Sequence, residues 1–309
     1  MMTISAQKAK KYTGIFPAFY ACYDEAGEIS PSRTRELAKY LLAQGVQGLY
    51  VNGSSGECVY LSVSERKTVL ENVMEAVGGK LTVISHVACN NTRDSMELAR
   101  HAKELGVDAI AAIPPIYFHL PEHAIAKYWN DISSAAPDMD FIIYNIPQLA
   151  GVSLTIPLLA DMLKNPSVIG VKNSSMPVQD IQMFKDKGGE DFIVFNGPDE
   201  QLAGGLLMGA TAGIGGTYAA MPRLYVKLFH LVKDGEVEQA TRLQNDICRI
   251  IYAMCAVRGS MYALIKELLR RRGIPCGSVR APLAPLAPSD AEQADLCDKM
   301  IREAESRYL

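Results

Sequence analysis

Val168-Ile169-Gly170-Val171-Lys172-Asn173 is the stretch of this chain from which both a fold and a chemistry can be predicted. A run this short, rich in β-branched residues and opened by Pro166-Ser167, is typical of a buried parallel strand. A lysine buried at the exit of such a strand loses solvation, so its pKa falls and the neutral amine becomes a nucleophile toward carbonyls. The alternative is a lysine whose long side chain reaches solvent.

Similar apolar runs recur along the chain, and most of them are followed by a longer amphipathic stretch. The other seven runs are Gly14–Phe19, Gly48–Val51, Leu81–Val87, Ala109–Ile113, Phe141–Tyr144, Phe192–Phe195 and Ala212–Ile214. The intervening stretches with a helical pattern are Ser30–Ala43, Ser62–Val77, Thr92–Leu105, Pro121–Ala135 and Pro177–Lys187. Ser30-Pro31 is expected to open the first of these helices as a cap and a first-turn proline.

Alternating strands and helices predict a parallel sheet with right-handed crossovers. Eight such units favour an α/β fold of the closed (β/α)8 TIM barrel type over an open sheet. Four further helical stretches follow the eighth apolar run, at Met221–Val232, Val237–Ala256, Met261–Arg272 and Ser289–Arg307. We therefore expect a barrel over residues 1–233, including its eighth helix, and a C-terminal helical subdomain over residues 234–309.

The composition excludes several classes of protein. Of the 309 residues, 49% are hydrophobic and 21% are charged, and the net charge is −3, which gives no reason to expect nucleic-acid binding. The chain has no apolar run long enough to cross a membrane, and because no apolar segment follows the lysines near its start we expect no signal peptide. Its seven cysteines are scattered and form no CxxC pair, so we expect reduced thiols in a cytoplasmic protein.

The residues that leave the predicted strands are polar, and in a barrel they meet at one face, where active sites lie. They include Gly53-Ser54-Ser55-Gly56-Glu57, Tyr144-Asn145, Lys172-Asn173-Ser174, Asn196-Gly197-Pro198-Asp199-Glu200 and Gly213-Ile214-Gly215-Gly216-Thr217. We expect Ser54 and Ser55 to hold the carboxylate of a keto acid, although an ordinary turn with a helix cap has the same composition. Tyr144 is positioned to relay protons, although a buried tyrosine often only fills a core.

Two acidic residues after the seventh run, Asp199 and Glu200, could accept hydrogen bonds from a polyhydroxylated substrate. They could equally complement the dipole at the start of a helix. The stretch His119-Leu120-Pro121-Glu122-His123 matches a zinc-binding pattern. Because Pro121 leaves His119 outside any regular helix, we expect no metal site there.

Three motifs occur together in this chain: Gly53-Ser54-Ser55-Gly56-Glu57, Tyr144-Asn145-Ile146-Pro147 and Gly170-Val171-Lys172. In this order and spacing they resemble the dihydrodipicolinate synthase / N-acetylneuraminate lyase superfamily of pyruvate-dependent class I aldolases. The resemblance extends from Tyr12 to about Leu286.

Within the superfamily the segment from Tyr144 to Gly151 is more similar to the lyase branch. Synthases carry an arginine shortly after the proline to hold an acidic second substrate, and here Gln148 and Leu149 stand in its place. Two positions depart from the lyase pattern: Ala21-Cys22-Tyr23 replaces a Thr-Pro-Phe-like turn, and Gly216 stands where lyases have a serine. Both departures concern the sugar end of the site.

The resemblance implies a lyase that cleaves N-acetylneuraminate to N-acetylmannosamine and pyruvate through a covalent lysine imine, with no metal or organic cofactor. It implies catalytic roles for Lys172, Tyr144, Ser54 and Tyr117, the last of these reaching a neighbouring subunit of a homotetramer. The implied substrate-binding residues are Ser54, Ser55, Ser174, Gly197, Asp199, Glu200 and Gly215.

Other functions fit the same residues. An aldolase or dehydratase for 2-keto-3-deoxy sugar acids, or a dihydrodipicolinate synthase-like enzyme, would keep the imine and change the substrate. A non-catalytic protein that binds a sugar or keto acid would have no use for a desolvated lysine. A metal-dependent aldolase would need a cluster of ligands that the sequence does not suggest.

Overall fold

Eight short parallel strands form the centre of the fold in the computed structural model, which describes residues 10–309. They are β1 (Gly14–Pro17), β2 (Gly48–Val51), β3 (Thr82–His86), β4 (Ala109–Ala112), β5 (Asp140–Asn145), β6 (Val168–Asn173), β7 (Ile193–Asn196) and β8 (Ala212–Gly215). Neighbours pair in chain order from β2 to β8, and β8 pairs with β1. A parallel bridge between Ala18 and Tyr50 joins β1 to β2 and closes the ring. The predicted (β/α)8 barrel is confirmed.

The helices cover the outside of the barrel and its C-terminal side. They are α1 (Pro31–Ala43), α2 (Val63–Val77), α3 (Thr92–Glu104), α4 (Glu122–Ala135), α5 (Pro147–Ala150), α6 (Ile156–Met162), α7 (Gln179–Gly188), α8 (Leu202–Leu207), α9 (Pro222–Lys233), α10 (Val237–Cys255), α11 (Met261–Arg271) and α12 (Ala291–Tyr308). Single turns of 3₁₀ helix lie at Ser54–Gly56, Cys58–Tyr60, Asp199–Gln201, Thr217–Ala219 and Pro288–Asp290.

The side chains of the strands separate into two buried clusters, as expected when alternate residues point to opposite faces of a barrel. The interior cluster contains large residues such as Phe16, Tyr50 and Phe195. The outer cluster fills the space between the strands and the helices, and contains Phe141 and Ile143. Because the interior is packed, we expect a ligand to bind at the mouth formed by the C-terminal ends of the strands.

Two details of the helices differ from the sequence-based predictions. Pro31 opens α1 as predicted, but Ser30 makes no side-chain cap; its hydroxyl lies 3.3 Å from that of Ser32 instead. The short helices α5, α6 and α8 were not predicted. Pro147 and Gly151 bound α5 closely, and Gly204-Gly205 inside α8 weakens the helical pattern.

The last three helices pack onto the barrel through apolar side chains such as Ile247, Leu264 and Ile301, all in the outer cluster. Helix α9 ends at Lys233 and α10 begins at Val237. The division into a barrel of residues 1–233 and a helical subdomain of residues 234–309 stays a prediction, and residues 1–9 lie outside the described part.

Candidate active site

The pairing of β5 with β6 places Tyr144 directly beside Lys172 at the C-terminal mouth of the barrel. The Lys172 amine lies 3.6 Å from the centre of the Tyr144 ring. The ring of Tyr50 is 4.7 Å from the same amine. Only 5% of Lys172 is exposed, so its side chain does not reach solvent. The structure therefore joins the two residues that an imine mechanism needs first.

The electrostatic environment of Lys172 favours a neutral amine. Burial lowers its pKa from 10.5 to about 7, against an opposing influence of the Asp199 carboxylate. The faces of Tyr144 and Tyr50 favour the charged form, but this effect does not offset the loss of water. Roughly half of the amines are then neutral at pH 7, compared with fewer than about one in a thousand for an ordinary lysine.

Tyr144 has the protonation state required of a proton relay. Burial raises its pKa to about 12, while hydrogen bonding by Ser54 and Ser174 acts in the opposite direction. Its phenol therefore keeps its proton near neutral pH. The two hydroxyls provide it with partners on both sides of the mouth.

A tight turn after β2 presents the two predicted serines. Ser54 and Ser55 open a 3₁₀ turn that ends at Glu57, whose φ of 56° is left-handed. Such a backbone is uncommon for a residue other than glycine and needs support from its surroundings. The Glu57 carboxylate provides that support: it accepts hydrogen bonds from the Lys266 amine at 2.6 Å and from the Arg280 N–H at 2.8 Å. The Lys266–Glu57 pair is fully buried and was not predicted from the sequence.

The turns after β6 and β7 lie against each other at the other side of the mouth. The Gly197 N–H donates to the carbonyl oxygen of Asn173 at 2.7 Å. A Cβ atom on residue 197 would lie 2.0 Å from the Ser174 hydroxyl, so only glycine fits there. Ser174, Gly197 and the half-buried Glu200 all line the cavity above Lys172.

Asp199 also lines this cavity, but its carboxylate already has protein partners. It accepts hydrogen bonds from the backbone N–H of Thr217, at 2.7 Å, and from the Thr217 hydroxyl. Burial raises its pKa to about 6, although these bonds lower it. Asp199 therefore holds the turn after β8 in place, and a ligand meets a carboxylate whose orientation is already set.

Gly215 ends β8 and Gly216 follows it, and of the two only Gly216 borders the cavity. Gly215 makes room for Asp199, because a Cβ atom there would lie 2.1 Å from the carboxylate. The cavity wall is made by its neighbours Ile214, Gly216 and Thr217. The structure therefore gives Gly215 a packing role, and its predicted contact with substrate stays a prediction.

The cavity has a volume of about 350 Å³, which is in the range of small-molecule sites. Besides the residues named above, it is lined by Ala18, Ile146, Gln148, Leu149, Met176, Pro198, Ile251, Cys255, Met261 and Tyr262. The last four belong to α10 and α11, and sequence reasoning missed them. They lie about 80 residues or more beyond Lys172 on helices that had no assigned function.

Tyr117 is not brought to this cavity within one chain. It is 85% exposed, and its ring packs edge-on against Phe118 at 5.0 Å between centroids. Both aromatic residues line a second cavity of about 570 Å³ with Tyr128 and Lys127. A catalytic role for Tyr117 would require a second subunit, and it stays a prediction.

The zinc-like pattern has the geometry expected from its proline. Pro121 precedes α4, which begins at Glu122, so His119 lies outside the helix that contains His123. Among residues 10–309, no group of three or more histidine, cysteine or acidic side chains could hold a metal ion. In the same part of the chain, no helix is long and apolar enough to cross a membrane.

A (β/α)8 barrel with a buried lysine beside a tyrosine at its mouth defines the class of enzymes that form a Schiff base with a keto acid. Comparison with known proteins agrees, because residues 11–300 match the model of the dihydrodipicolinate synthetase family. The chain belongs to this family, and it is a lyase.

Relatives match over nearly the whole chain. An N-acetylneuraminate lyase of Mediterraneibacter gnavus is 60% identical, with 97% of this chain and 96% of that protein covered. One of Salmonella agona is 33% identical, with 91% and 93% covered. The solved structure of a wild-type sialic acid aldolase of Ruminococcus gnavus has a TM-score of 0.96 and 60% identity, covering 97% of this chain and all of that chain.

Proposed function

We propose that this protein cleaves N-acetylneuraminate to N-acetylmannosamine and pyruvate through an imine on Lys172. The observation that carries the proposal is the buried Lys172 amine, which has a pKa of about 7 and lies 3.6 Å from the Tyr144 ring. Similarity to two N-acetylneuraminate lyases over more than nine-tenths of their lengths supports the choice of substrate. So does the likeness to a solved sialic acid aldolase variant described as a catalytic lysine mutant.

The first steps of the reaction use Lys172 as nucleophile. Its neutral amine attacks the ketone carbon of the open-chain sugar acid, and loss of water gives a protonated imine. Tyr144 relays the proton of the hydroxyl group on C4 as the C3–C4 bond breaks. The electron pair of that bond moves into the imine and forms an enamine. Protonation of the enamine and hydrolysis then release pyruvate and restore the amine.

The serine turn after β2 would hold the carboxylate of the keto acid. Ser54 and Ser55 provide uncharged hydroxyl donors, which orient an anion without adding a positive charge near Lys172. An ammonium or guanidinium group in their place would repel the protonated imine that the reaction must form on Lys172. Hydroxyl groups therefore suit a site whose covalent intermediate is a cation.

The sugar end would be held on the opposite side of the mouth by Ser174, Gly197, Asp199 and Glu200. Glu200 is only half-buried and lines the cavity, so its carboxylate is open to the hydroxyl groups of a sugar. Gln148 and Leu149 also line the mouth. They offer no cationic group to an acidic second substrate, which favours a lyase over a synthase.

We also propose that the enzyme is a cytoplasmic homotetramer that needs no metal or organic cofactor. The protonated imine formed on Lys172 supplies the electrophilic activation that a metal would otherwise provide. Tyr117 and Phe118 are exposed aromatic neighbours, 85% and 70% accessible, and they suit a subunit contact. Sedimentation of the purified protein and of Tyr117→Ser would test the homotetramer. The activity that remains after dialysis against a chelator would test the independence from a metal.

A substrate panel with purified protein tests the proposed function. N-acetylneuraminate, 2-keto-3-deoxygluconate, and pyruvate with aspartate semialdehyde are supplied separately, and pyruvate release or consumption is followed. We expect rapid pyruvate release from N-acetylneuraminate, and none from Lys172→Ala. Faster turnover of the deoxy sugar acid, or synthesis from the semialdehyde, would reject this substrate while keeping the imine. Tight binding without turnover would indicate a binding protein.

A further inference from the structure

Helix α11 directs two residues, one helical turn apart, at the serine turn after β2. Tyr262 and Lys266 are spaced i, i+4, and therefore lie on the same face of the helix. Lys266 holds Glu57 at the end of the turn, and its amine also donates to the carbonyl oxygen of Ser278 at 2.7 Å. The helix is thus anchored to the turn by a buried ion pair, and Tyr262 lies one helical turn before Lys266 on the same face.

Tyr262 faces the same cavity as Lys172 and Ser55. It is half-buried, and its ring packs edge-on against Tyr20 at 5.7 Å between centroids. Burial raises the pKa of its phenol, and hydrogen bonding by Ser55 opposes that rise. The phenol therefore stays protonated near neutral pH and can donate a hydrogen bond beside Ser55.

The neighbouring phenol of Tyr20 already has another partner. It donates to the backbone carbonyl oxygen of Gly216 at 3.1 Å. A Cβ atom on residue 216 would lie 3.1 Å from the Ser55 hydroxyl and 3.8 Å from the Tyr20 hydroxyl, so the glycine keeps this corner open. Of the two phenols beside Ser55, Tyr262 is the one that lines the cavity.

We propose that Tyr262 is a substrate-binding residue that donates a hydrogen bond to the carboxylate of the keto acid, together with Ser54 and Ser55. The inference rests on the proposed function, since it assumes that a keto acid forms an imine with Lys172. It gives the C-terminal helices a direct part in the site. The Lys266–Glu57 pair sets the distance from α11 to the serine turn, and so is a positioning element for the same carboxylate.

The test measures imine formation rather than sugar cleavage. Purified wild type and Tyr262→Phe are incubated with increasing pyruvate and a hydride donor, and the fraction of Lys172 that is alkylated is read by mass spectrometry. Loss of one hydrogen bond to a charged group is expected to raise the half-saturating pyruvate concentration about tenfold. Acetone has the ketone without the carboxylate, so its trapping should be unchanged. Tyr252→Phe, an exposed tyrosine on α10, is the matched control.

The outcomes separate the inference from the proposed function. An equal half-saturating pyruvate concentration in wild type and Tyr262→Phe overturns the inference and leaves the imine intact. An equal loss with pyruvate and with acetone also overturns it, because the tyrosine would then only support the fold. Absence of trapping in wild type rejects the proposed function itself. A pyruvate-specific loss that Tyr252→Phe does not share supports the inference.

Discussion

Replacing Lys172 by methionine should stabilise the protein, because the chain keeps a lysine where an apolar side chain would fit better. The wild-type amine is buried with a pKa of about 7 instead of 10.5. This difference corresponds to an upper bound of about 5 kcal/mol of folding free energy. Lys172→Met removes the amine and keeps a side chain of similar length, so the penalty disappears with it.

The sign of the pH dependence follows from the two pKa values. Below about pH 7 the lysine is protonated in both the folded and the unfolded state, and the folded state carries the full penalty. Between pH 7 and 10.5 the folded protein has released its proton and the unfolded chain has not, so the penalty shrinks as pH rises. The gain from Lys172→Met should be as much as about 5 kcal/mol near about pH 6 and only about 1 kcal/mol near about pH 9.5.

Urea unfolding of wild type and Lys172→Met at the two pH values measures this difference. Lys266→Met is the matched control, because Lys266 is equally buried but pairs with Glu57 at 2.6 Å. Its removal leaves a buried carboxylate unpaired and should cost about 3–5 kcal/mol. A gain from Lys172→Met that does not change with pH, or a loss of stability in both variants, would refute the reasoning about the neutral amine.

The remaining predictions concern the reaction. Tyr144→Phe should lower kcat for N-acetylneuraminate by about 10²–10⁴-fold, which is the usual contribution of a positioned proton-transfer group. Pyruvate should still label Lys172 in this variant. A kcat close to that of wild type in stopped assays would remove Tyr144 from the mechanism. The trapping rate in subsaturating pyruvate should rise about tenfold from about pH 6 to about pH 8 and then level off, since the neutral fraction of Lys172 follows a pKa of about 7. An ordinary lysine would give a rise of about a hundredfold with no plateau.

The sequence allowed the barrel and most of the site to be predicted, because strands buried on both faces leave continuous apolar runs. The run at 48–51 coincides with β2, and the run that contains Lys172 coincides with β6. Residues that follow such runs must meet at one end of a closed barrel, and this does not depend on the helices between the strands. This is why Tyr144, Lys172, Ser54 and Ser174 could be grouped before the structure was known.

The contribution of α11 could not be predicted in the same way. Its amphipathic pattern shows that one face is buried, but the pattern does not say against which turn it packs. Tyr262 and Lys266 reach the site through a contact 209 residues apart in the chain, between Lys266 and Glu57. The weak signal was a lysine on the apolar face of a helix and a glutamate at the end of a serine turn, two opposite charges without evident partners nearby in sequence.

Reductive trapping tests the central claim most directly. The protein is incubated with pyruvate and borohydride and digested, and the masses of its peptides are measured by mass spectrometry. The account predicts that one carboxyethyl group is gained on the peptide that contains Lys172, that none is gained without pyruvate, and that activity is lost in proportion. Labelling of another lysine, such as Lys266, or no labelling of an active preparation, would contradict it.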